Sequence, residues 1–248
     1  MKIDIVTIFP RLVEAGLSEG IPARAQGRGL VDVRVLDLRE FTTDRHRVVD
    51  DVAFGGGPGM VLKPEPMFRA MEWIGAERGQ PSSVILPSPQ GTPFSHETAR
   101  RLSGERHVVF LCGRYEGVDE RVRDAWVTEE ISIGDYVVSG GELPAMVIVD
   151  ALVRLLPGAV GDPESVEADS FARGLLDFPH FTRPAEFSGR KVPEVLLSGH
   201  HERVRQWRLK ESLRRTLSRR PDLLTRAHLT DEERAMLEQV ARELTEES

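Results

Sequence analysis

A single cysteine, Cys112, stands in 248 residues, so no disulfide can close within the chain, and a reducing compartment is expected. No run of about 18 apolar residues occurs, which leaves nothing to span a bilayer as a helix. The apolar stretch at the N-terminus is too short for a secretory core and meets Pro10 at once, so the expectation is a cytoplasmic protein with no membrane partner. Internal repeats and low-complexity tracts are lacking. Several chemistries lose their signatures too. No Gly-Lys-Ser/Thr marks a P-loop, and no glycine cluster has the GxGxxG spacing of a dinucleotide site. There is no CxxC pair and no HExxH, and the neighbours His200 and His201 point to different sides, so no metal site is expected. Ser139 lacks the GxSxG elbow of a hydrolase. Positive charge is short overall: 33 Lys and Arg against 40 Asp and Glu give −7, which taken alone argues against a nucleic-acid partner.

What is present is a core-forming composition, 40% apolar and 29% charged. Apolar and β-branched runs at residues 2–8, 30–38, 83–86, 107–112 and 127–133 read as strands. Helical patterns lie between them: after Pro10, over 64–78, over 95–103 with Ser95 as N-cap, over 117–125, and from Pro144 to about Leu156. Residues 39–60 read as loop. Strands alternating with helices at this spacing predict an α/β fold with a mostly parallel sheet. Beyond Pro157 the character changes. Residues 158–195 are irregular, and 200–220 and 230–247 are helical. The expected organisation is an α/β domain over 1–160, a linker or lid over 161–175, and a small helical domain over 176–248.

The charge is segregated. Residues 203–220 carry eight bases and one acid, +7; residues 231–247 carry seven acids and two arginines, −5; the remainder holds −9. Leu209, Leu213 and Leu217 recur every four residues, so the basic segment reads as a helix with one apolar stripe. Its arginines form either a solvated face or a phosphate-contacting one.

Three glycine-rich places stand out: Phe54-Gly-Gly-Gly-Pro-Gly-Met60, Cys112-Gly-Arg-Tyr-Glu-Gly117, and Ser132 to Pro144. Each alone could be a tight turn, which calls for glycine anyway. The last two directly follow strands, and open α/β sheets bind ligands at the carboxyl ends of strands. The helix 143–156 is apolar nearly all round and therefore buried or at a subunit interface. Arg154 in it needs an anionic partner or a ligand, and Asp150 one turn earlier is the local candidate.

Taken together and in order, these stretches resemble the bacterial tRNA (guanine-N1)-methyltransferases of the TrmD family. The resemblance is carried by Asp44-Arg-His-Arg-Val-Val-Asp-Asp51, residues 55–60, Ser88-Pro-Gln-Gly91, 112–121, 132–146, Asp169-Ser-Phe171, 174–177, 196–199 and Trp207-Arg-Leu-Lys210. It implies an S-adenosyl-L-methionine-binding fold of the SPOUT type with a deep C-terminal trefoil knot, a homodimer with the active site between subunits, and tRNA as partner. Periodicity shows no knot, and chains generally avoid them.

Carried over position by position, the cofactor pocket would be formed by Leu86, Pro87, Ser88, Pro89, Gly113, Tyr115, Glu116, Ser132, Ile133, Gly134, Asp135, Tyr136, Val137, Val138, Gly140, Gly141 and Pro144. The family reads the adenine mainly through backbone of the third loop, which suits glycines there. Pro87 departs from the pattern, since it offers no N–H. Arg154 and Asp169 match the family's catalytic pair: Asp169 would take the proton from guanine N1, and Arg154 would stabilise the charge that moves to O6, at tRNA position 37. Without the resemblance, Asp169 reads as an exposed loop acid. Arg203, Arg205, Arg208, Lys210, Arg214 and Arg215 are the candidate phosphate contacts, with the charged loop 44–51 beside them. The resemblance leaves room for Mg²⁺, with Glu116 as the candidate participant. Two other readings stand beside this one: a SPOUT methyltransferase acting on another RNA, and a non-enzymatic RNA-binding protein.

Overall fold

The structure, a computed structural model, describes residues 1–162 and 168–246. Residues 163–167, in the segment expected to act as a lid, lie outside the described residues, as do 247–248. Two compact units, Met1–Gly161 and Asp162–Ser248, make up the chain. Among the described residues no helix is long and apolar enough to cross a membrane.

The first unit is built on β1 (Lys2–Thr7), β2 (Asp32–Asp37), β5 (Ser83–Pro93), β6 (His107–Leu111) and β7 (Glu129–Ser132), in the order β2-β1-β6-β5-β7. Every pairing in this sheet is parallel. Helices cover both faces: α1 (Pro10–Leu17), α2 (Gly20–Gly27), α4 (His96–Ser103) and α6 (Glu142–Val153) on one, α3 (Pro64–Arg78) and α5 (Glu120–Trp126) on the other. A sheet buried twice over needs strands that are apolar at every position. In β6 this is plain: Val108 and Phe110 enter one core, Val109 and Leu111 the other.

Local signals set most helix starts. The Ser95 hydroxyl accepts the Thr98 N–H at 3.2 Å and caps α4, and α3 begins on Pro64, where a missing N–H leaves no hydrogen bond unmade. The helix expected over 117–125 starts later. Val118 is bridged in parallel with Leu62, whose N–H donates to the Gly117 carbonyl and whose carbonyl accepts from the Asp119 N–H, and Asp119 caps α5 by accepting the Arg121 N–H at 3.0 Å. The stretch 39–60, expected as loop, ends in a hairpin strand: β3 (Asp50–Val52) pairs antiparallel with β4 (Met60–Leu62), with the glycine cluster between them.

The second unit is helical: α7 (Glu194–Leu197), α8 (His201–Arg219), α9 (Pro221–Leu224) and α10 (Asp231–Glu246). It also carries a short antiparallel hairpin, β8 (Glu186–Phe187) with β9 (Arg190–Lys191), that no strand signal announced. The long helices α8 and α10 pack together, burying Leu213 and Val240 completely.

One polar cluster sits in the first unit's core. Asp4, inside β1, is fully buried; its Oδ2 accepts from Arg78 Nε at 3.0 Å and meets His107 Nε2 at 2.6 Å, while Arg78 reaches Asp32 at 2.6 Å. Arg78 ends α3, so the cluster locks a helix end to β1, β2 and β6 at the foot of the sheet. Removing one member of a buried ion pair strands the other charge. Arg78→Met is therefore expected to destabilise the first unit by about 3–5 kcal/mol, read as a lower urea midpoint at unchanged slope. A midpoint equal to the parent chain's refutes it.

Candidate functional site

The carboxyl ends of β5, β6 and β7 lie side by side, and three segments there, 86–90, 113–118 and 131–141, line one cavity of about 270 Å³. The first is produced by a break in β5. Its register with β7 holds as far as Pro87, slips, and resumes at Thr92, so residues 88–91 are pushed out of the ladder. Pro87 donates nothing and stands where the ladder breaks, the place in a sheet where proline is tolerated. Gly91 is required sterically: a Cβ there would lie 2.5 Å from the Glu130 carbonyl carbon and the Ile131 nitrogen.

The other two segments are stitched to each other. The Gly141 N–H donates to the Gly113 carbonyl at 2.9 Å, Arg114 and Gly140 form an isolated antiparallel bridge, and a Cβ on Gly141 would sit 2.8 Å from Cys112 Cα. In the third segment the Gly134 N–H donates to the Ser132 hydroxyl at 3.2 Å, and Tyr136 N–H donates to the Gly134 carbonyl at 2.9 Å. A loop folded back on its own backbone in this way presents main-chain groups to a ligand with few side chains in between.

Sixteen of the seventeen residues carried over to the cofactor pocket line this cavity: Leu86, Pro87, Ser88, Pro89, Gly113, Tyr115, Glu116, Ser132, Ile133, Gly134, Tyr136, Val137, Val138, Gly140, Gly141 and Pro144. Asp135 does not. Gln90, Arg114, Gly117, Val118, Arg123, Ile131 and Ser139 also line it. Most of these lie inside the motifs already quoted. Arg123 carries no signal in sequence: it comes from the last turn of α5 and bonds Gln90 at 3.3 Å and Glu130 at 3.2 Å.

The charges at the site are arranged around Glu142, the first residue of α6. It is fully buried, accepting from the Thr7 hydroxyl at 2.7 Å and from Arg114 Nε at 3.0 Å. Arg114 in turn lies over the Phe9 ring, 4.4 Å from its centroid. Tyr115 is held at φ +59, unusual for an aromatic residue. Burial, with the Asp50 carboxylate, raises the Tyr115 phenol above its ordinary value. Burial also pushes the Cys112 thiol up, keeping it protonated and inert. Among the described residues no three His, Cys, Asp or Glu side chains gather as a metal site.

Arg154 is the C-terminal cap of α6, its N–H donating to the Asp150 carbonyl at 3.1 Å. Asp169 is in the second unit and lines a cavity of about 380 Å³ with Arg173, Phe178, His201, Arg205 and Arg208. The six candidate phosphate contacts divide into two groups. Arg203, Arg205 and Arg208 are exposed, Arg205 pairing with Glu202 and Arg208 lying over Phe178. Lys210, Arg214 and Arg215 are half-buried: the first two bind Glu243 of α10 at 2.6 and 2.5 Å, and Arg215 reaches the Asp177 carbonyl at 3.5 Å.

Residues 1–226 match the family model described as tRNA (Guanine-1)-methyltransferase TrmD. Curated relatives align end to end. A tRNA (guanine-N(1)-)-methyltransferase of Pelotomaculum thermopropionicum is 54% identical over 247 residues, covering 99% of this chain and 98% of its own. Proteins of the same name from Dictyoglomus turgidum, 53% over 247 residues, and Brevibacillus brevis, 54% over 243 residues, cover 100% and 98% of this chain and 99% of each relative.

The backbone contact at Gly141 gives a direct check. Gly141→Ala places a methyl against Cys112 Cα and Gly113 N, neither of which is a flexible side-chain end. The expected cost is about 1–3 kcal/mol of stability, measured by chemical denaturation, with loss of ligand binding to the pocket by calorimetry. Parent-like stability and binding would show that the two loops are not packed as described.

Proposed function

Because the chain belongs to the tRNA (Guanine-1)-methyltransferase TrmD family, we propose that it transfers a methyl group from S-adenosyl-L-methionine to N1 of guanine 37 of tRNA, immediately 3′ of the anticodon. The observation that carries the reading is the convergence of three sequence-distant loops on one cavity at the strand ends. The cofactor fits this cavity on its own features, a cradle of loop backbone whose glycines let the segments pack closely: a Cβ on Gly134, Gly140 or Gly141 would collide with Tyr136, Arg114 or Cys112. When bound it supplies an electrophilic methyl group on sulfonium.

The chain's residues have the remaining work. Guanine N1 carries a proton at neutral pH, so a base must remove it as the N–C bond forms. Asp169 is assigned that role. Loss of the proton moves negative charge to O6, and Arg154, which stays protonated, is assigned to stabilise it. The loops 86–90, 113–118 and 131–141 hold the donor so that its methyl faces N1, which accounts for much of the rate. Mg²⁺ remains an optional participant through Glu116, and no step depends on it. The exposed Arg203, Arg205 and Arg208 are the first candidates for tRNA phosphates, within a helical RNA-binding unit.

The first unit is assigned the knotted SPOUT form that the family resemblance implies; the close packing of Gly141 on Cys112 and Gly113 is compatible with it. A homodimer with the active site between subunits is assigned as well. Its support is an apolar surface on two packed helices: Leu143 and Val147 of α6 are about half exposed, and Phe9 and Leu12 at α1 are similar. The protein is read as cytoplasmic, where its tRNA substrate is.

Two measurements test this. Purified protein, cofactor and tRNA transcripts with guanine or adenine at position 37 are expected to yield 1-methylguanosine from the first transcript alone, with Asp169→Ala at least about a hundredfold slower. Methylation of both transcripts, or a parent-like rate for the variant, counts against the assignment. Val147→Asp is expected to shift the sedimentation coefficient from dimer to monomer and abolish transfer. An active monomer would remove the shared active site.

A further inference from the structure

The hairpin of β3 and β4 is the part of the first unit that the pocket does not account for. Its tip carries Phe54, whose side chain is 100% exposed. Val48 and Val52, on the same arm, are also exposed. A fully solvated aromatic contributes no apolar burial to the fold. The tip is built to hold it out: Gly55, Gly56 and Gly57 have φ of +87, +78 and +109, and no atom lies within 4 Å of a Cβ built on any of them. It is backbone conformation, not crowding, that requires glycine there.

The base of the hairpin is rigid. Glu116 N–H donates to the Met60 carbonyl, Leu62 N–H to Gly117, and Asp119 N–H to Leu62, each at 3.0 Å. Gly59 lies against the Glu116 side chain. The finger is thus fixed to the 113–118 wall of the cavity. The segment entering it, Arg45-His46-Arg47, is exposed and carries two guanidinium groups. An exposed ring that follows exposed cations along the same arm, with six residues between Arg47 and Phe54, matches single-stranded RNA, which is bound by stacking unpaired bases on aromatics while cations hold the backbone.

We propose that Phe54 is a stacking platform for an unpaired nucleobase of the RNA substrate, beside the base that enters the pocket, and that the β3–β4 finger thereby registers the RNA on the pocket wall. This rests on the tRNA-methyltransferase reading above. Stacking of one base against one aromatic is sequence-tolerant, so Phe54 contributes register and affinity and leaves base identity to other groups.

The test compares the parent chain with Phe54→Ala and Phe54→Trp on a tRNA transcript bearing guanine 37. Phe54→Ala is expected to raise the KM for tRNA by about tenfold, with kcat and the calorimetric Kd for S-adenosyl-L-methionine unchanged within twofold. Phe54→Trp is expected to restore the KM, and its extra tryptophan emission should be quenched when tRNA is added without cofactor. An unchanged KM in Phe54→Ala overturns the proposal. So does a parallel loss of cofactor affinity, which would make the finger a structural prop, or a change in sedimentation, which would seat Phe54 against a second copy of the chain. Quenching reads binding without turnover and so separates the two claims. Quenching with an inactive parent chain sinks the methyltransferase reading alone; an active parent chain without quenching sinks this proposal alone.

Discussion

A buried carboxylate holds the working end of the sheet together. Glu142 has no solvent contact and accepts from Thr7, at the end of β1, and from Arg114, in the turn after β6. It is also the first residue of α6, where the exposed N–H groups of a helix favour negative charge. One side chain thus ties a strand end, a pocket wall and a helix start. Its net effect on stability is modest, because desolvating two charges offsets much of their attraction. What it fixes is geometry. Arg114 cannot leave Glu142 without stranding a charge in the core, so the turn 113–118 has one position, and so has Gly141, whose N–H bonds Gly113. The pocket is pre-organised by a constraint that contributes little to the total stability.

That constraint explains which parts of the site were legible in the chain. The parallel sheet announced itself through apolar strands separated by helices, and Ser95 marked the start of α4 by its cap chemistry. The loops after β6 and β7 were visible because close backbone packing leaves glycine as its trace, as at Gly141. Gly91 leaves the same trace, in the Ser-Pro-Gln-Gly turn that follows the run 83–86; what no local pattern shows is that strand pairing resumes beyond that turn, at Thr92. Arg123 left no trace, and Glu142, though inside the stretch 132–146, had nothing to mark it as the buried acid of the site. Each matters through a partner far away in sequence, Gln90 for the one and Thr7 for the other. Periodicity reports which face of an element is buried and is silent about which polar group waits there. The same holds for Asp4, an acid inside an apolar strand whose partners, Arg78 and His107, come 74 and 103 residues later.

The hairpin β3–β4 was missed for another reason. Its strands are three residues each, too short for an alternating pattern to show, and the segment between them is dominated by glycine. Its stability comes from the 113–118 turn that it grips, a long-range contact with no local signature. Short strands of this kind form only where something else fixes their ends.

Charge shows the same limit of local reading in a form that can be followed along one helix. The net −7 conceals a +7 segment, and that segment in turn is not one surface. Over its first half, α8 exposes Arg203, Arg205 and Arg208. Over its second half, Lys210 and Arg214 face α10 and are taken up by Glu243, whose carboxyl these cations and Gln239 hold below its usual range. The acidic tail therefore serves the basic helix as a packing partner. The packing of the two helices buries Leu213 and Val240, and the ion pairs neutralise the cations brought in with them. Polyanion affinity follows the cations that remain hydrated and able to release counterions on contact. By that measure the positive face of α8 is carried by Arg203, Arg205 and Arg208, with Arg219 exposed at its last residue, and Lys210 and Arg214 belong to the fold.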